Sequence, residues 1–294
     1  GNFRGVMDWL SEQRDWERSL IIGLGLNRFW YQTDRLNFEL RWMEQLLTEG
    51  FMDKGDDRLD VVKARHGFAI MLIGAGNRAD ARSTLDTCIV VYESLGHQHS
   101  ALLALYHQAI TLYADCRLEE AWDILYKCLH EFTTHEDRGH RANVLGTMGY
   151  ILHRFQGGHR AITLFALALQ LTPNPTKQVV SCLTLIDGIT FSCAVIGRWE
   201  IARTLASIAV RLARAVQLHG YKSSSLLNLA LALRYSGEES KSYEILHSAC
   251  ATSIRIRSTE NRMVVYHHLA LAHVDSGNLN RASLFASRSR DLAR

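Results

Sequence analysis

Several kinds of chemical motif are absent from this 294-residue sequence. No Gly-x-x-x-x-Gly-Lys-Ser/Thr loop is present, which excludes a Walker-type nucleotide site within these residues. None of the 14 histidines has the i, i+4 spacing with an acidic neighbour that is typical of a zinc-binding helix. No Ser-His-Asp or Cys-His arrangement can be recognised either. We therefore expect a non-catalytic chain without a cofactor or a metal site.

Neither sign of charge is in large excess, because the sequence has 33 Lys and Arg residues and 30 Asp and Glu residues. No basic run interleaved with aromatic residues is visible, so direct nucleic-acid binding is not expected. The most apolar window, residues 179–197, contains Asp187, and no signal-peptide pattern is present. The six cysteines show no Cys-x-x-Cys spacing, which favours free buried thiols in a reducing compartment. These features predict a cytoplasmic chain with no membrane span.

What the sequence does contain is a repeat of about 40 residues. A small or polar residue, which we term the turn position, is followed five residues later by alanine in most copies. On both sides of it, apolar residues recur every three and four places, which predicts a pair of amphipathic helices joined by a tight turn. No stretch alternates in the manner of a strand, so essentially no sheet is expected. The turn positions are Asp34, Gly76, Cys116, Gln156, Gly197, Gly237 and Gly277.

The residue seven places before each turn position is small or short, which indicates close packing between the two helices of a pair. These residues are Asn27, Ala69, Ala109, Gly149, Thr190, Ala230 and Ala270. The layout resembles the tetratricopeptide repeat, although the period exceeds the usual length of about 34 residues. HEAT or armadillo repeats are alternatives, which the presence of only two prolines disfavours. The fold class expected is an all-α, right-handed superhelical solenoid of about seven tetratricopeptide-like helix pairs.

We expect a single solenoid domain over residues 1–294, in which 1–50 form an N-terminal cap and a divergent first repeat and 58–294 form six regular repeats. A short leading helix is predicted near residues 3–13. First helices are predicted near residues 17–32, 58–73, 99–114, 139–155, 178–195, 222–235 and 260–275. Second helices are predicted near residues 36–48, 79–93, 118–132, 159–171, 199–215, 239–254 and 280–292.

The surface formed by the first helices is the candidate ligand-binding or partner-binding site, because tetratricopeptide arrays bind ligands on the concave side that these helices line. Aromatic rings with a polar atom, interleaved with arginine and histidine, are typical of recognition surfaces. The central stretch from Tyr106 to Tyr235 is favoured. The candidate residues are His66, Tyr106, Tyr113, Asn143, Tyr150, His153, Arg154, Asp187, Phe191, Arg234, Tyr235 and His267.

The first fifty residues carry a second resemblance. The segments Asn2–Val6 with Trp9, Phe29–Tyr31 and Arg41–Glu44 resemble the start of the helical-repeat region of large bacterial ATP-dependent transcription activators, a class of signal-transduction NTPases. The resemblance implies a sensor module whose NTPase and DNA-binding parts would lie outside these residues. It transfers no individual ligand-binding residue.

These observations suggest a non-catalytic module that binds a peptide, a protein or a small effector in the groove and relays binding to an attached NTPase or transcription regulator. One alternative is a plain scaffold for protein assembly. Another is a quorum-peptide-sensing repeat protein, in which Asn143 and Arg154 would hold the peptide backbone. An α-helical enzyme built on Asp187 near His153 and Arg154 is a further alternative.

Overall fold

The computed structural model describes residues 3–32, 36–51, 57–155, 157–255 and 259–292. For residues 27–32, 36–37 and 259–260 it describes the backbone alone. The turn positions Asp34 and Gln156, and the Phe29–Tyr31 side chains that contribute to the family resemblance, therefore lie outside what is described.

The described residues form fifteen α-helices and no strand, which confirms the predicted all-α class. Every predicted helix is present, and the ends agree to within three residues. A π-helical turn, Leu46–Gly50, follows the third helix. None of the described helices is long and apolar enough to cross a membrane. The helices are α1 (Phe3–Glu12), α2 (Trp16–Gln32), α3 (Leu36–Gln45), α4 (Leu59–Ala75), α5 (Arg78–Ser94), α6 (Gln98–Ala114), α7 (Leu118–Thr134), α8 (Arg138–Arg154), α9 (Gly158–Leu171), α10 (Val179–Val195), α11 (Trp199–Ala215), α12 (His219–Tyr235), α13 (Glu239–Arg255), α14 (Thr259–Asp275) and α15 (Leu279–Leu292).

The chain divides into two compact units, Gly1–Cys128 and Leu129–Arg294, which we term unit 1 and unit 2. Unit 1 contains α1 to α6 and the first part of α7. Unit 2 contains the end of α7 and α8 to α15. The expectation of a single domain stays a prediction.

The regular period arises from the way each helix ends. Most helices have 17 residues and are followed by connections of about three residues, in which the second residue after the helix usually adopts a left-handed backbone conformation. At Gly197, φ is 79°, and the amides of Gly197 and Arg198 donate to the carbonyls of Ala194 and Cys193 at 3.1 and 2.8 Å. This pattern satisfies carbonyls that the helix end would otherwise leave unpaired. Glycine occupies four of the seven turn positions because it adopts positive φ without steric cost.

The core of unit 2 depends on one buried ring between two glycines. A Cβ added to Gly149 would lie 2.8 Å from the Phe165 ring, and one added to Gly188 would lie 2.6 Å from it. Both distances are too short for a real side chain, so the two glycines allow α8 and α10 to approach α9 closely. Phe165 is fully buried as a result. The packing also sets the position of the residues next to the glycines, Tyr150 and Asp187.

The substitution Gly188→Ala tests this constraint. The added methyl group would force Phe165 or α10 to move, and overpacking of this kind costs about 1–3 kcal/mol. Urea denaturation should show a lower free energy of unfolding. The matched control is Gly25→Ala in α2, where an added Cβ meets no atom within 4 Å. That substitution should leave stability unchanged or raise it by about 0.5–1 kcal/mol. Equal stability of Gly188→Ala and the wild type would contradict the packing argument.

Candidate functional site

In unit 2 the first helices of successive repeats, α8, α10, α12 and α14, contact one another in that order. We term the surface that they form the first-helix face. Polar side chains connect neighbouring helices across it. The Tyr150 hydroxyl donates to the Thr184 carbonyl at 2.8 Å, and the Thr184 hydroxyl lies 3.5 Å from the Tyr221 hydroxyl. Three consecutive first helices are thereby joined by hydrogen bonds.

Asp187, on α10, is the most unusual residue of this face. The Ser225 hydroxyl on α12 donates to its two carboxylate oxygens at 3.0 and 3.3 Å, and the Asn228 side chain donates a further hydrogen bond. Both donors are neutral, and Asp187 forms no ion pair with a described lysine or arginine. Burial raises the pKa of the carboxyl to about 7, although the bonds from Ser225 and Asn228 act in the opposite direction. The Asp187 side chain is half-buried, so the site holds a carboxyl with reduced solvation and no compensating cation among the described residues.

The hydrogen-bonded contacts continue from α12 to α14. The Ser224 hydroxyl lies 3.4 Å from the side-chain oxygen of Asn261, whose amide nitrogen lies 3.5 Å from the Gly220 carbonyl. At the far end of the two helices, Arg234 forms an ion pair with Asp275. The charge of Arg234, one of the candidate residues, is thus already compensated.

Two exposed aromatic side chains lie near the C-terminal ends of α10 and α12. Phe191 is 41% exposed and its ring centroid lies 4.4 Å from that of His153 on α8. The imidazole Nδ1 of His153 is 3.1 Å from the Ser192 hydroxyl, and burial, reinforced by Arg154, lowers the pKa of this histidine. Tyr235 is 56% exposed and stacks on Trp199 at 4.7 Å. These rings offer apolar contact surface beside the polar residues.

The remaining candidates of unit 2 lie around these groups. Asn143 and Arg154 on α8 are exposed, as is His267 on α14. The ring of His267 lies 5.2 Å from that of His268. Burial lowers the pKa of His268 to about 4, with smaller contributions from His267 and Arg234. The proton on this histidine is therefore lost well below neutral pH.

Three candidates, His66, Tyr106 and Tyr113, belong to unit 1 and are described separately. His66 on α4 is buried, and its Nε2 atom lies 3.0 Å from Nδ1 of His107 on α6. Burial lowers the pKa of His66 to about 4. Tyr106 lies beside His107 with ring centroids 5.2 Å apart, and Tyr113 is half-buried further along α6. His66 therefore has protein partners in place of solvent.

The sequence pattern missed the neutral partners of Asp187. The candidate residues stand 13, 10, 6, 3 or 2 residues before a turn position, whereas Ser225 and Asn228 stand 12 and 9 residues before the turn position Gly237. A search one residue to either side would have found them. The enzyme alternative required Asp187 and His153 to act together. They form no hydrogen bond or ion pair with each other, because each is bonded to a different serine.

No family model matches the chain, and no curated protein matches it by sequence. Solved structures are similar to it. The Rap conjugation gene regulator of plasmid pLS20, in complex with the Phr* peptide, has a TM-score of 0.80 and 12% identity, over 96% of this chain and 75% of that chain. A Rap protein complexed with Competence and Sporulation Factor has a TM-score of 0.67 and 12% identity, over 94% and 76% of the two chains. NprR in complex with its cognate peptide NprX has a TM-score of 0.64 and 16% identity, over 100% and 79%.

At these identities the likeness concerns the fold. It confirms an all-α, tetratricopeptide-like helical-repeat architecture for this chain.

The substitution Asp187→Asn should raise stability at alkaline pH. The carboxyl has a pKa near 3.8 when exposed and about 7 when folded, so its favourable contribution is complete below pH 4 and is lost as the pH rises through 7. At pH 8 the wild type carries the cost of a buried charge that asparagine lacks. We expect Asp187→Asn to be more stable by ~2 kcal/mol at pH 8, with the difference vanishing towards pH 4.

Thermal or urea unfolding at several pH values measures this difference. The control is Asp275→Asn, which removes a carboxylate paired with Arg234 and should not stabilise the protein. A loss of stability in Asp187→Asn at pH 8 would show that the charge is already compensated.

Proposed function

We propose that this chain is a non-catalytic sensor whose unit 2 binds a short peptide along the first-helix face, with Asp187 holding a cationic group of that peptide. The observation that carries the proposal is the half-buried Asp187 carboxyl, whose hydrogen-bond donors among the described residues are neutral. A lysine, an arginine or the N-terminal amine of a peptide would supply the missing positive charge.

The energetics of Asp187 favour a ligand of this kind. A buried charge without a partner is costly, and perturbed carboxyls cluster at functional sites for that reason. The pKa of about 7 means that the free protein holds the carboxyl close to its point of protonation near neutral pH. A bound cation would favour the ionised form and release the proton. Binding should therefore weaken as the pH falls below 7.

The surroundings of Asp187 suit an extended peptide backbone. Amide and hydroxyl groups line the face, with Asn143 exposed on α8 and Asn228 and Asn261 on the neighbouring first helices. Packed helices lie about 8–10 Å apart, so four of them span about 30 Å, the length of roughly eight extended residues. The exposed rings of Phe191 and Tyr235 would contact an apolar side chain of the peptide.

The similar structures support the peptide more than the other ligand classes. All three are complexes with a peptide or with Competence and Sporulation Factor. They favour the quorum-peptide interpretation of the sequence over the activator interpretation. Relay to an attached NTPase is a hypothesis that depends on the resemblance of the first fifty residues alone.

A sensor must also change state when it binds. A peptide that joins α8, α10 and α12 can shift the equilibrium between two arrangements of these helices only by its difference in affinity for them. The hydrogen bonds from Tyr150 to Thr184 and from Ser225 to Asp187 are the contacts that such a shift would alter. A scaffold would bind its partner without this change.

Affinity selection of a random library of peptides of about seven residues on the purified protein tests the proposal. We expect enrichment of lysine or arginine at one position of the selected peptides. Selection on Asp187→Asn should lose this enrichment, because the substitution removes the anion but keeps the shape of the side chain.

Glu200→Gln is the matched control, since Glu200 is an exposed carboxylate on α11 of the same unit and outside the first-helix face. It should select the same peptides as the wild type. Identical cation preferences in the wild type and Asp187→Asn would exclude Asp187 as the anchor. Failure to enrich any peptide would contradict the peptide ligand itself.

A further inference from the structure

The even charge of the whole chain conceals a strongly basic segment in unit 2. Between residues 138 and 237 there are 11 Lys and Arg but only two acidic residues, Asp187 and Glu200. Asp187 lies on the first-helix face, and Glu200 lies at the start of α11. The excess positive charge of this segment therefore lies wherever basic residues have no carboxylate partner.

At one edge of unit 2, where each first helix turns into its second helix, two of the arginines are paired with carboxylates. Arg203 lies 2.7 Å from Glu238 and 2.9 Å from Glu200, and Arg234 pairs with Asp275. Carboxylates from the neighbouring repeats supply the partners.

At the opposite edge, where second helices end and the next first helices begin, the basic residues have no such partners. We define the basic edge as Lys177, Arg211, Arg214, Lys222 and Arg255. Four of them are exposed and Lys222 is half-exposed. None of the five forms an ion pair with a carboxylate among the described residues.

Two hydrogen bonds link helices at this edge, one within a repeat and one between repeats. The guanidinium of Arg255 at the end of α13 lies 3.3 Å from Nδ1 of His219 at the start of α12. Asn261 on α14 bonds to the Gly220 carbonyl, also at the start of α12. These bonds join α12, α13 and α14 at this edge. The edge also presents two apolar side chains, Val216 at 41% exposure and Ile254 at 49%.

We propose that the basic edge binds an acidic protein segment that carries apolar side chains, such as an acidic amphipathic helix. The guanidinium groups of Arg211, Arg214 and Arg255 match carboxylates in geometry and charge. Val216 and Ile254 would pack against the apolar side chains of the partner. Arg211, Arg214 and Arg255 lie on second helices, outside the first-helix face, so the proposal goes beyond that function.

A nucleic acid is the less suitable occupant. Single strands are held by aromatic rings that stack on bases, and the aromatic residue of this edge, Tyr221, is half-buried with its hydroxyl beside Thr184. Exposed Val216 and Ile254 offer nothing to a phosphate backbone. A protein segment uses both the charges and the apolar side chains.

Fluorescence anisotropy with labelled model peptides tests the proposal. The probe is a helix of about four turns with glutamate on one face and leucine on the other. One matched peptide has glutamine in place of glutamate, another has alanine in place of leucine, and a DNA duplex of similar length completes the set. We expect the Glu/Leu peptide to bind the wild type about tenfold more tightly than either matched peptide, and more tightly than DNA.

The double variant R211Q/R214Q should weaken binding of the Glu/Leu peptide about tenfold, with the loss shrinking at high salt. Both side chains are exposed, so folding should be retained, as circular dichroism can check. Arg160→Gln is the control, because Arg160 is exposed at the start of α9, on the opposite edge. Tighter binding of DNA, an equal loss in Arg160→Gln, or no preference for glutamate over glutamine would overturn the proposal. The first-helix face takes no part in this assay, so its outcome is independent of the peptide selection.

Discussion

The ring of Phe165 occupies a space that exists only because Gly149 and Gly188 carry no side chains. This contact lets α8 and α10 close on α9 and sets the distance between neighbouring first helices. Tyr150 follows one of these glycines and Asp187 precedes the other, so the same packing places both residues on the first-helix face. The hydrogen bonds from Tyr150 to Thr184 and from Ser225 to Asp187 form on that framework. A larger residue at either glycine would disturb the candidate site together with the core.

Some charged residues of unit 2 form ion pairs within the described part of the chain and others do not. Asp187 and the arginines of the basic edge are among those that do not, and they lie on two different surfaces. Arg203 and Arg234 find carboxylates in the next repeat, which is the ordinary arrangement for a helical array. Asp187 instead has neutral donors, and Arg211 and Arg214 have no carboxylate among the described residues. A cationic ligand would complete the first surface and an acidic partner the second. A sensor needs such a division, with one surface for the signal and another for the protein that receives it.

The repeat made the fold predictable, because a left-handed residue ends each helix and a small residue marks each close contact. Gly197 and Gly149 show both effects directly. The site was less predictable. Position within the repeat identified Asp187 and Tyr150. Ser225, a partner of Asp187, lies 38 residues later in the chain on the neighbouring first helix, at a repeat position one residue away from those that supplied the candidates. His66 was chosen by the same rule, yet His107 covers it. The basic edge was not predicted, because the net charge of the whole chain is small and does not distinguish paired from unpaired charges.

The central claim is that Asp187 is a half-buried carboxyl whose missing partner is a cationic ligand. The most direct measurement is the carboxyl ¹³C chemical shift of Asp187 as a function of pH, in the free protein and with a selected lysine- or arginine-containing peptide bound. The account predicts a midpoint near pH 7 in the free protein, as the pKa of about 7 requires, and a fall of at least about one unit when the peptide binds. A midpoint near 4 in the free protein, or one that the peptide leaves unchanged, would contradict it.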